Sequence, residues 1–147
     1  MKPILTILHA LWLGAHITVG YVVVPLLFQY ADKGELTRQT AGNIAGDLFH
    51  MVVYLGLVTA GLWWLFCRKM QQPSLLLNAM LLLLALSEWV IAPVINAIKH
   101  QQHHWLHDLL GGSFGVWHGV SSSVYLLLTL LLMVWTWQQM QTNSQRR

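Results

Sequence analysis

Apolar residues run through this chain in four long blocks, separated by short stretches where polar residues gather. The blocks cover residues 4–30, 43–66, 74–98 and 113–138, and none shows the strict alternation of a half-buried strand. About 20 residues at 1.5 Å each cross a bilayer core, so every block predicts a membrane-spanning helix with some tilt. The connectors are 31–42, 67–73 and 99–112, and a polar tail closes the chain. The expected fold is all-α, an integral membrane four-helix bundle forming a single transmembrane domain over residues 1–147.

The pattern is written twice. Pro25 and Pro93 are 68 residues apart, and so are His50 and His118. Each copy is a helical hairpin with a proline near the end of its first helix and a histidine near the start of its second. Both copies begin on the same side of the membrane, so the repeats are parallel, with a pseudo-twofold axis along the membrane normal. Small residues at Gly42 and Gly46, and again at Gly111 and Gly115, have the spacing that lets helices approach closely.

Composition agrees with a membrane solvent. Hydrophobic residues make up 56% of the chain and charged residues 9%, against about 25% charged in a soluble domain. Lys2, Arg68, Lys69, Arg146 and Arg147 fall on one side, Lys33, Arg38 and Lys99 on the other. The excess, five against three, favours both termini in the cytoplasm. Lys2 and the first apolar block have the polarity of a signal peptide. The block is too long for one and lacks a small-residue cleavage site, so it reads as a retained span. No basic stripe with interleaved aromatics is present, so nucleic acid is not an expected partner. The lone Cys67 excludes an intrachain disulfide and reads as a small apolar residue at a helix end. There is no Walker loop, HExxH or GxSxG, so hydrolase and nucleotide chemistry have no visible equipment.

Candidate chemistry then rests on polar groups that are costly in lipid. His50 and His118, at equal depth on related helices, can face one interior space as axial ligands of haem or as ligands of a transition metal. Hydrogen bonding across the bundle is the structural alternative. Glu88 is the only carboxylate deep in a span, and the repeat sets His16 about one turn from its level. That pair can relay a proton or orient a ligating imidazole. His9, seven residues before His16, lies on nearly the same helix face and extends a polar track. Pro25 and Pro93 free the carbonyls of Tyr21 and Trp89 and predict kinks. In the third connector, His100, His103, His104 and His107 form one stripe if the helix continues, a pattern that can capture zinc, copper or nickel with Asp108. A polar interfacial connector is the plainer reading of it.

The segments Leu11–Phe28, Ala41–His50, Glu88–Pro93 and Phe114–Ser122 resemble the small bacterial membrane proteins grouped with eukaryotic transmembrane protein 205. The string Trp117-His118-Gly119-Val120-Ser121-Ser122 is the most specific part. That family is distantly similar to copper-resistance D-type proteins and to haem-containing four-helix protoporphyrinogen oxidases. The resemblance implies a four-helix membrane bundle. In the oxidases a histidine lies in helix one upstream of a proline, and His9 or His16 is its counterpart here. The stretch His100–His107 is outside the family pattern.

Together these features predict a small inner-membrane protein that holds haem b or a transition metal between its helices for redox or metal-tolerance roles. The cofactor residues are His50, His118, His16 and Glu88. If it is an enzyme, it is a haem-dependent membrane oxidoreductase. Its partners are the lipid bilayer and other membrane-complex subunits or a second copy of itself. A cofactor-free permease or efflux accessory, or a complex-assembly subunit, is the rival expectation.

Overall fold

Proline decides where the first and third spans change their winding. The computed structural model describes residues 2–71 and 75–144. The first span runs α1 (Lys2–Thr18), a π turn (Val19–Val23) and α2 (Val24–Asp32). The third runs α4 (Leu75–Leu86), a π turn (Ser87–Ile91) and α5 (Ala92–Lys99). A proline inside a helix has no N–H to donate, and its ring collides with the carbonyl four residues earlier. Both spans absorb this with one wide turn, in which the Val24 N–H reaches the Val19 carbonyl and the Ala92 N–H reaches that of Ser87. Pro25 and Pro93 then sit in the first turn of α2 and α5, where a missing N–H costs little. The two π turns begin 68 residues apart, at Val19 and Ser87, so the repeat extends to the hydrogen-bond ladder itself.

The returning helices differ between the copies. In the first, α3 (Arg38–Lys69) starts five residues before its apolar block. Thr37 is extended there, and its side chain accepts a hydrogen bond from the Thr40 N–H at 3.0 Å, which caps the helix. Arg38 also pairs with Asp32 at 2.7 Å across the connector. At the other end, Arg68 and Lys69 suit the negative pole of the helix. In the second copy the matching stretch is broken into α6 (Trp105–Leu110) and α7 (Phe114–Ser144). Gly111 and Gly112 take φ of +66° and +97°, which no continuing helix tolerates. Asn43 and Ile44 hold those places in the first copy, and its helix runs through.

Contacts divide the chain into two units, Met1–Ser74 and Leu75–Arg147, each one helical hairpin. In the first, α1 and α2 pack on α3; in the second, α4 and α5 pack on α7. No strand occurs among the described residues. Four helices are long and apolar enough to cross a membrane. Their outer faces carry exposed Ile7, Leu11, Met51, Leu75 and Leu82, a surface that suits lipid and not water. The chain is thus an all-α, multi-pass membrane protein.

The seam of the first hairpin positions the polar groups of interest. Its α1 side is Leu5, His9, Trp12 and His16, all buried and spaced by three or four residues. Across it, α3 offers Val52, Gly56, Thr59 and Trp63. Trp63 Nε1 donates to the Leu5 carbonyl at 3.1 Å. Trp12 lies so close to Gly56 that an added Cβ would stand 2.7 Å from three of its ring atoms. Residue 5 therefore faces 63 and residue 12 faces 56, an antiparallel register that sets His9 level with Thr59 and His16 level with Val52.

Candidate functional site

Two imidazoles are built into the α1 seam. His16 is 1% exposed and His9 6%, with His9 standing edge-on to Trp12 at 6.1 Å between ring centroids. Burying an imidazole in a membrane helix costs free energy that a leucine would not. The second copy makes that comparison directly. A shift of 68 places turns His9, Trp12 and His16 into Leu77, Met80 and Leu84, and all three of these are buried too. The same seam therefore packs with leucine in the places where the first hairpin has histidine. The fold does not require the imidazoles, which makes them the leading candidates for function.

Glu88 is buried as well, 8% exposed and part of the second π turn. Its counterpart in the first turn is Gly20, so this feature also belongs to one copy only. A π turn widens the ladder locally and is frequent at functional positions. Glu88 belongs to the second unit and His16 to the first.

The residues expected to be primary ligands are placed differently. His50 and His118 are both exposed. The reason for His118 is local. Near the start of α7 only Trp117 turns inward, where its Nε1 donates to the Gly111 carbonyl at 2.9 Å. His118 points the other way and stacks on Phe114 one turn earlier, at 5.8 Å and 10° between planes.

The connector histidines do not form the expected stripe. The helix stops at Lys99, Gln101 takes φ of +54°, and His104 is extended, so the four rings are sent in different directions. His104 Nδ1 accepts from the Leu106 N–H at 3.3 Å and caps α6. His107 Nε2 donates to the Gly112 carbonyl at 3.0 Å. His103 Nδ1 lies 3.7 Å from Asp108, and His100 is exposed at the helix end. Ile98, Gln101, Gln102, His103, His107 and Asp108 line an open hollow of about 270 Å³. Among the described residues, no three of His, Cys, Asp and Glu gather as a group that can hold a metal ion. His100, His103, His104 and His107 thus lie in a capped connector and not along one continuous helical stripe.

Sequence reasoning overlooked Trp12, Gly56 and Thr59. The signal was present in the repeat: a large–small pair, Trp12 with Gly56, stands where the second copy has Met80 with Val124.

Two helical hairpins of membrane length, each with a proline-linked π turn and with buried imidazoles in the first, define a small multi-pass membrane protein. Residues 7–104 match the domain of unknown function DUF4149, and the chain belongs to that family. No curated protein and no solved structure matches it.

Proposed function

We propose that this protein holds haem b through an imidazole of α1 and serves redox or metal-tolerance chemistry in a bacterial inner membrane, with both termini in the cytoplasm. The observation that carries the reading is the exchange of His9 and His16 for Leu77 and Leu84 between otherwise matched seams. The donor set suits haem better than a bare ion. Haem iron brings four nitrogens of its own and needs one or two imidazoles, whereas a bare transition metal needs three or four protein ligands. His16, beside the π turn, is the first ligand, with His9 two turns away as the alternative. Bound haem would supply an iron that carries single electrons. The protein's part is to keep that iron out of water and to set its ligand field.

Because His16 is covered, haem would have to enter as the hairpin folds and not afterwards. Protein purified in mild detergent from haem-replete cells should show a Soret band that His16→Leu abolishes. Haem added to the folded, haem-free protein should not restore the band. Absence of the band in protein from haem-replete cells sinks the proposal.

Glu88 favours a second reading, proton passage without a cofactor, since a buried carboxyl in a wide turn can exchange protons as a lone leucine-rich helix cannot. Acidification-driven uptake into liposomes that Glu88→Gln abolishes, in protein without a Soret band, would select that reading.

A further inference from the structure

Thr59 behaves unlike the other hydroxyl residues inside the helices. Thr6, Thr129 and Thr136 fold back on the carbonyl four residues earlier at 3.0, 2.9 and 2.8 Å, and Ser122 and Ser123 do the same at 2.9 Å. Thr59 is fully buried, yet its Oγ1 has no hydrogen-bond partner within the protein. Trp12, also fully buried, has an indole Nε1 in the same condition. The two lie in one layer. Trp12 Nε1 is among the atoms pressed on Gly56, Thr59 is one turn along α3, and the seam register sets His9 opposite Thr59. His9 in turn stands against the Trp12 ring.

Buried donors are rarely left without an acceptor, and an indole N–H can only donate. We propose that the first hairpin holds a single internal water between Trp12, Thr59 and His9. The water oxygen accepts from Trp12 Nε1 and from the Thr59 hydroxyl, and one water proton is donated to a nitrogen of His9. Three hydrogen bonds is the usual complement of a buried water. This site belongs to the first hairpin alone and stands whether or not α1 carries haem. It gives His9 a proton-exchanging neighbour inside the seam, which Leu77 in the second copy cannot use.

The test is proton–nitrogen NMR of the full chain in lipid nanodiscs, with tryptophan labelled at the indole nitrogen. Trp105, exposed in the connector, should show a strong cross-peak to water; Trp63, bonded to the Leu5 carbonyl, should show none. Trp12, assigned through Trp12→Phe, should show a water cross-peak despite full burial. Thr59→Val should weaken it at least fivefold and Thr59→Ser should retain it. An unmoved Trp63 resonance reports that the hairpin stays folded; if Val moves it, Thr59→Ala replaces Val. No cross-peak at Trp12, or one indifferent to the loss of the Thr59 hydroxyl, overturns the proposal.

Discussion

Replacing Gly56 by valine should destabilise the first hairpin, and replacing Trp12 by methionine in the same chain should rescue it. An added Cβ at Gly56 meets three Trp12 ring atoms at 2.7 Å, whereas ordinary contacts begin at 3.4 Å, so the ring would have to retreat by about 0.7 Å. Trp12 is fully buried, and the atoms met belong to a rigid ring and not to a flexible tip. Overpacking of this kind costs roughly 1–3 kcal/mol, and valine adds two methyl groups beyond the Cβ, so the upper part of that range applies. Trp12→Met alone leaves a void and costs about 2–4 kcal/mol on the scale of large-to-small core changes. Independent effects would add to roughly 4–7 kcal/mol, enough to unfold a protein of ordinary stability.

The second copy argues that they will not add. Met80 and Val124 stand at these two places there, and Met80 is fully buried. The double variant Gly56→Val/Trp12→Met should therefore be more stable than either single one, with a coupling energy of about 2 kcal/mol or more. Reversible unfolding in mixed micelles, followed by far-ultraviolet circular dichroism, measures all four proteins of the cycle. Additivity within about 0.5 kcal/mol would refute the reasoning, because it would mean that the two positions do not share one packing space.

Three other outcomes follow from the same placements. His16→Leu and His9→Leu should fold, because Leu84 and Leu77 are buried at the matched places of the second copy, and the same unfolding assay measures the change in stability. Loss of the fold in either variant would show that the imidazole is structural after all. Ala at His50 or at His118 should leave any Soret band intact and change stability by no more than about 0.5 kcal/mol, as for exposed positions generally; a lost band would return these residues to the ligand set. Calorimetric titration of the connector with zinc or nickel should show no site tighter than about the millimolar range, since no three donors gather there. His104→Ala should instead cost about 1 kcal/mol through the lost cap of α6.

The fold was legible because the strongest sequence signal, apolar run length, is set by the bilayer and needs little tertiary information. The ends of α3 and α7 were less so. Thr37 extends α3 beyond its apolar block through a cap that hydropathy does not register. Gly111 and Gly112 close the 99–112 connector and α7 begins at Phe114, one residue from the expected start, but the helix runs on to Ser144, past its apolar block. The prolines predict kinks, and the wide turns that precede them have no separate residue signature. The site was legible by type and not by placement. Histidine and glutamate stood out as costly in lipid, but which way a helical residue faces depends on rotation about the axis. Repetition singles out His50 and His118, which are exposed, whereas the buried imidazoles of His9 and His16 are not repeated.

The contrast between the two copies concerns how a duplicated membrane hairpin acquires chemistry. What the two copies share, the proline-linked π turns and the packed seam, is what any copy needs in order to fold. Selection for one scaffold written twice keeps such features at matching places. Chemistry requires no such symmetry: one copy can exchange leucine for an imidazole at a seam already shaped to bury it. The informative positions are then those where matched places differ in cost, as Leu77 against His9, Leu84 against His16 and Gly20 against Glu88. Each costly residue lies in a well-packed segment whose twin folds without it. A costly group retained where a cheap one serves the same seam argues for a role outside folding, and the unfolding energies of His9→Leu and His16→Leu measure what each imidazole contributes to the fold.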